Sequence, residues 1–166
     1  IYIVGATYNE VGGSEYLKTK GFIGNAVPKV NPQRAKQLME GLSAATEKGL
    51  VRACHDCSEG GIGVAVAEMA LAGGLGAKVD LKSVPLGEAI DRDDFILFSE
   101  SNSRFIVEVS PEKQAEFAKA LEGNVFAQIG QVNDAEKLEI TGTKGKIVVS
   151  VPIADLKEAW QKPLRW

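Results

Sequence analysis

The stretch VRACHDCSEGGIGVAVAE, Val51 to Glu68, decides how the rest of the chain is read. It holds the only histidine, both cysteines, an aspartate and a glycine pair, followed at once by an apolar run. Val51-Arg52-Ala53-Cys54 reads as a short buried strand and Ile62 to Ala72 as a helix, which leaves His55 to Gly61 as the turn between them. That helix is apolar almost all round, with Glu68 its only acid, so it belongs in a core. The amides that open it have no intrahelical partner and carry the positive end of the helix dipole, so glycines there admit close approach of an anion.

Working outward, Ile1 to Val4 reads as a strand, and Val11-Gly12-Gly13-Ser14 as a second glycine-rich turn capping a short helix that runs to about Lys20. Asn31-Pro32 is a helix start, with Asn as N-cap and Pro in the first position. Ala35, Leu38, Met39, Leu42 and Ala45 then form one apolar stripe, which Gly49 closes. After Gly73-Gly74, Ala77 to Leu81 alternates as a strand, and Leu86 to Ile90 reads as a short helix before an acidic run. Arg104 to Val109 is a strand, Ser110-Pro111 starts a helix buried through Phe117, Ala118 and Leu121, and Phe126 to Val132, Leu138 to Thr141 and Ile147 to Val151 are three further strands. Ile153, Leu156 and Trp160 mark one face of a C-terminal helix. The mixture predicts an α/β (α+β) fold, a two-layer sandwich with a mixed β-sheet packed against helices.

Bulk properties narrow the class. A chain of 166 residues suits one domain, residues 1–166, with a substantial core. A net charge of −3 with scattered Lys and Arg gives no footprint for nucleic acid, and no apolar run is long enough to span a membrane. Two cysteines without a signal peptide point to a reducing, cytoplasmic setting. The start at Ile1, inside a strand, reads as a piece excised from a longer protein.

The candidate chemistry gathers at the turns. Cys54-His55-Asp56-Cys57 contains a CxxC, which suits a redox pair, half of a zinc site, or two packed thiols. His55 and Asp56 are neighbours on a strand and point to opposite faces, which argues against a shared acid–base role. Asp56 is the candidate metal ligand, placed where a carboxylate can hold Mg²⁺ near a phosphate; a turn Asp is the other reading. Ser58, Gly60 and Gly61, together with Gly12, Gly13 and Ser14, are candidate anion-cradling positions, although Glu59 would repel an anion and the glycines also serve tight packing. If Gly61 serves packing, a Gly61→Val change is expected to cost roughly 1–3 kcal/mol. Ser99, Glu100 and Ser101 next to Arg104 offer two hydroxyls, an acid and a guanidinium for a sugar phosphate, or else a surface Glu100–Arg104 ion pair.

Four of these segments, ACHDCSEGGIGVAVAEMA (Ala53 to Ala70), VGGSEYL (Val11 to Leu17), LFSESNSRFIVEV (Leu97 to Val109) and VPIADLKEAW (Val151 to Trp160), resemble in order and spacing the large or subunit II type of phosphoribosylformylglycinamidine synthase. The resemblance runs from about Thr7 to the end, and the GGSEY form is typical of that enzyme family rather than its superfamily relatives. It implies the C-type α/β domain of an enzyme of purine biosynthesis. That enzyme uses ATP, Mg²⁺ and glutamine-derived ammonia to turn formylglycinamide ribonucleotide into its amidine. Such chains carry two copies of an N-type and C-type domain pair, and this sequence is similar to the second C-type domain. The implied partners are the remaining domains of the synthase, a glutaminase and a small accessory subunit. In the family's first C-type domain the position matching Asp56 is associated with Mg²⁺ and the segment matching Glu100-Ser101-Asn102 with substrate. Asn102 stands where that copy has Gln. By itself the domain is expected to be a scaffold and cleft wall without activity. The alternative is a free-standing module holding a phosphorylated metabolite at Gly12-Gly13-Ser14 and Ser58 to Gly61.

Overall fold

In the computed structural model, which describes residues 1–165, the strands divide between two four-stranded sheets. The elements in chain order are β1 (Tyr2–Val4), α1 (Glu15–Thr19), α2 (Pro32–Glu47), β2 (Ala53–Asp56), α3 (Gly61–Gly73), β3 (Gly76–Asp80), α4 (Asp93–Phe98) and β4 (Phe105–Glu108). There follow α5 (Gln114–Ala120), β5 (Phe126–Gln128), β6 (Gly130–Asn133), β7 (Lys137–Thr141), β8 (Ile147–Pro152) and α6 (Ile153–Gln161). The first sheet has the order β2-β4-β1-β5 and is antiparallel throughout. The second, β6-β3-β7-β8, is mixed, with β3 and β7 parallel and the other pairs antiparallel. The α/β class and the packing of strands against helices are as the sequence implies.

Strand alternation gives the first sheet two buried faces. Tyr2, Val4 and Val107 pack with Leu38, Leu42 and Ala45 of α2 and with Phe117 and Leu121, while Ile3 and Ile106 face the other way. That second face meets Ile62, Ala65, Val66 and Ala70 of α3, which also pack against Ala77, Val79, Leu138 and Ile140 of the second sheet. The apolar helix is thus the core shared by both sheets, which is why it lacks a polar side.

Only Ile129 separates β5 from β6, so one extended run of chain serves both sheets. Ile129 and Gly130 both donate their N–H to Ile1 O, at 3.0 and 3.3 Å, and Asp80 N–H donates to Ile129 O at 2.8 Å. Gly130 passes so close to β3 that a Cβ would stand 2.0 Å from Lys78 O.

Several expectations need correction. The buried strand read as Val51 to Cys54 is instead a half-exposed one at Ala53–Asp56, because β2 pairs with β4 from Ala53↔Glu108 to Asp56↔Phe105, so His55 and Asp56 are strand residues. Leu86 to Ile90 is not a helix. Thr7 N–H donates to Pro85 O at 2.9 Å and Gly87 N–H to Thr7 O at 2.8 Å, which ties the segment to the chain after β1 in extended form. A helix forms instead at Asp93–Phe98, six residues with two acids in its first turn. Met39, a member of the expected α2 stripe, is 48% exposed, and Trp160 lies half out on α6. The caps behave as read: Asn31 accepts from Arg34 N–H, Ser14 accepts from Leu17 N–H, and Gly49 and Gly74 take positive φ at helix ends.

Candidate functional site

The two glycine-rich turns, far apart in sequence, meet at one carboxylate. Glu100 follows α4 and is half-buried, and its Oε1 accepts the Gly60 N–H at 2.9 Å and the Glu15 N–H at 3.0 Å. Those are amides at the openings of α3 and α1, where a bound anion would be sought. Here the chain supplies the negative charge itself.

The glycines of these turns make close approach possible. A Cβ on Gly12 would lie 2.6 Å from Ala26 N, and one on Gly61 would lie 2.2 Å from Ser99 O and 2.8 Å from Leu97 O, with φ at +60°. Gly60 takes φ +77° as the α3 cap, while Gly13, at φ +74°, faces open space. Ser14 is buried, its hydroxyl donating to Val11 O at 2.6 Å and accepting from Leu17 N–H at 3.2 Å, so it works within its own turn.

Arg104 is not on the surface and does not pair with Glu100. It is 1% exposed; Nε donates to Ser101 O at 2.8 Å, one terminal nitrogen to Thr7 Oγ1 at 2.9 Å and the other to Ser99 O at 2.5 Å. Burial pulls its pKa below the ordinary value, opposed by the nearby carboxylates of Glu10 and Glu100. Ser101 is buried beside it, its Oγ accepting the Tyr8 N–H at 3.1 Å and sharing a 3.0 Å hydrogen bond with Ser99 Oγ. These residues brace the loop that carries Glu100.

Asp56 ends β2 exposed, with the Ser58 hydroxyl hydrogen-bonded to its carboxylate. That bond, first, holds its pKa below the usual carboxylate range, with partial burial opposing. Among the described residues no group of three or more His, Cys, Asp or Glu side chains is placed to hold a metal ion. Asp56 is a single exposed carboxylate, which is not a cage by itself; Mg²⁺ is commonly held by one or two carboxylates together with substrate phosphates. His55 lies beside Asp56 despite the alternation of the strand, with Nδ1 3.6 Å from Asp56 Oδ1 and 2.7 Å from Asp56 O, while Nε2 is 3.1 Å from Glu68 Oε2. Both thiols are free; Cys54 is exposed and Cys57 buried, and burial raises the Cys57 pKa to about 11, the reverse of a reactive thiol.

Asn102 is exposed and separate from the Glu100 cluster, lining a cleft of about 860 Å³ with Glu10, Lys29, Arg34 and Glu88. The cleft is assembled from segments distant in sequence, Gly5 to Glu10, Ala26 to Leu38 and Gly123 to Val125 among them. Glu10 stood in a polar stretch, and nothing local marks its burial; Asn31-Pro32, the start of α2 at the cleft edge, was the only pointer to its position.

A two-sheet α/β domain with paired glycine turns clamped on one acid defines a class of domain. The AIR synthase related protein, C-terminal domain, family matches residues 1–143, and the chain belongs to that family. It is similar to the phosphoribosylformylglycinamidine synthase subunit PurL of Thermoanaerobacter pseudethanolicus, 38% identical over 168 residues that take in 100% of this chain and 22% of that protein. The corresponding subunit of Deinococcus radiodurans is 39% identical over 159 residues, covering 95% of this chain and 21% of the relative. The chain thus spans about a fifth of the length of the curated relatives it matches. Phosphoribosylformylglycinamidine synthase II from Thermotoga maritima superposes with a TM-score of 0.78 at 27% identity, over 93% of this chain and 25% of that one. The T. maritima PurL complexed with FGAR gives 0.79 at 26%, over 93% and 27%. The E. coli hydrogenase maturation protein HypE, at 18% identity and a TM-score of 0.62 over 92% and 48%, shares the fold.

Proposed function

We propose that this chain is the second C-type domain of an ATP-dependent synthase of purine biosynthesis, a carbon–nitrogen ligase. The whole enzyme converts formylglycinamide ribonucleotide and glutamine-derived ammonia into formylglycinamidine ribonucleotide. The observation that carries this reading is the similarity to PurL along the entire chain. T. maritima PurL binds ATP, ADP and FGAR, which supports the same ligands for the whole protein here. The PurLQS structure from that organism supports a glutaminase and a small subunit as partners. Mg²⁺ would accompany ATP in the complete enzyme and would need ligands beyond Asp56. This domain acts as scaffold and cleft wall: with Glu100 on the turn amides and Arg104 buried, its groups serve internal structure. Residues 1–166 are read as one domain, and no turnover is expected from them alone.

The test is to supply the full-length chain with ATP, Mg²⁺, formylglycinamide ribonucleotide and ammonium, and to follow amidine formation and ADP release. Stoichiometric formation of both supports the reading. A folded full-length chain that forms neither with its accessory subunits present overturns it.

A further inference from the structure

Phe22 and Ile23 follow α1 and stand 66% and 80% exposed, and Val27 and Val30, further along the same segment, are also exposed. Four large apolar side chains within nine residues make a patch of the kind that marks a contact surface. Phe22 and Ile23 lie outside the wall of the Asn102 cleft, so a ligand there would not cover them. The backbone that carries them is fixed in place. Gly12 N–H donates to Ala26 O at 2.8 Å, Gly13 N–H to Ile23 O at 2.7 Å and Phe22 N–H to Leu17 O at 2.9 Å. A Cβ on Gly24 would stand 3.2 Å from Gly12 Cα. The segment is thus clamped against the glycine turn with its apolar side chains open to solvent, and a surface already ordered loses little entropy when a partner covers it.

The charge around this patch has one sign. From Tyr16 to Met39 the chain carries Lys18, Lys20, Lys29, Arg34 and Lys36 and no acid. Lys18 pairs with Glu15 and Lys36 with Glu40, while Lys20, Lys29 and Arg34 form no ion pair among the described residues. The complementary surface has an apolar centre and carboxylates at its edge. The curated relatives are several times longer than this chain, which spans about a fifth of them, so the remainder of such a polypeptide is available to supply that surface. We propose that the segment from Gly21 to Val30 is the seat of another domain of the same full-length chain, which covers Phe22 and Ile23 with apolar side chains and meets Lys20 and Lys29 with carboxylates. The proposal rests on the reading of this chain as one domain of a longer synthase.

The test mixes equal amounts of ¹⁵N-labelled and unlabelled full-length chain, treats them with a zero-length carbodiimide and identifies the linked peptides by mass spectrometry. Lys20 or Lys29 should be joined to an Asp or Glu outside residues 1–166, in pairs whose two halves carry the same isotope. Hydrogen exchange on the untreated chain supplies the second readout. The amides of Ile23 to Val27 have no acceptor among the described residues, yet they should exchange about ten-fold or more slowly than an open loop. Ile23→Asp, at an exposed position and checked for fold by circular dichroism, should remove the links and return those amides to fast exchange. Fast exchange in folded wild type, slow exchange that Ile23→Asp leaves unchanged, or an absence of links beyond residues 1–166 overturns the proposal. Links between differently labelled halves assign the patch to a second copy, and flotation of wild type but not Ile23→Asp with phosphatidylserine vesicles assigns it to a membrane; either overturns it as well. If any of these occurs in a chain that still forms the amidine, the synthase reading stands and only the docking surface is lost.

Discussion

Glu100 caps Gly60 across forty residues of sequence: the carboxylate oxygen that accepts the Gly60 N–H at 2.9 Å also accepts the Glu15 N–H at 3.0 Å, joining the openings of α3 and α1. Both bonds are charge-assisted, and both amides lack any intrahelical acceptor. Glu100→Ala should therefore destabilise the fold by about 2–4 kcal/mol and Glu100→Gln by about half as much, read from denaturant unfolding. The alanine variant should also be stabilised by added phosphate more than wild type is, because the amides are then open to an outside anion. An equal phosphate response in the two would show that the turns have no intrinsic anion affinity.

Gly61 and Gly13 both take positive φ, yet their substitutions should differ sharply. At Gly61 a Cβ meets the backbone oxygens of Ser99 and Leu97 at 2.2 and 2.8 Å, atoms that cannot retreat without moving the Glu100 loop. Gly61→Val should cost upwards of about 3 kcal/mol, beyond what a strand–helix turn alone suggests. At Gly13 nothing lies within 4 Å, so Gly13→Ala should cost only about 1 kcal/mol from backbone strain. Similar unfolding midpoints for the two would contradict the packing role.

Arg104 fills a site that a lysine cannot. Its fork reaches Ser99 O, Ser101 O and Thr7 Oγ1 at once, whereas an ammonium is a single point. Arg104→Lys should lose about 2–4 kcal/mol in thermal or denaturant unfolding, and a near-native midpoint would refute the bracing role.

Cys57 makes stability fall at high pH. Its thiol titrates near 9.0 when unfolded and at about 11 when folded, so between those values the unfolded chain has released a proton that the folded chain keeps. Stability from this group is complete below pH 9 and is lost as pH rises towards 11, by about 2–3 kcal/mol in all. Cys57→Ala should flatten that part of the profile. At pH 8 a thiol reagent should modify exposed Cys54 alone in the native protein and both cysteines after unfolding.

What could be read in advance depended on whether the cause was local. Asn31-Pro32, the stripe through Leu38, Leu42 and Ala45, and Gly49 specify α2 within its own residues, and the structure matches them. α4 is too short for a helical period to show, and its Asp93-Asp94 start looks like a loop. The division into two sheets rests on Ile129 and Gly130 meeting Ile1 and Lys78, contacts that no window of sequence contains. The same holds for the site. Glu100 stood out as a polar residue beside Arg104, but its partners lie 40 and 85 positions away and Arg104 turned inward. Glu10 was silent because burial of an acid is decided by what folds over it.

The uninterrupted run from β5 into β6 gives the molecule a common tendon. Ile1 bonds to it through Gly130 O at 2.8 Å and through both amides of its bend. Tension applied at Ile1 is passed through this run to the antiparallel sheet on one side and the mixed sheet on the other. The two sheets then yield together as one cooperative unit, with slow amide exchange at Ile129 and Gly130 until the whole gives way.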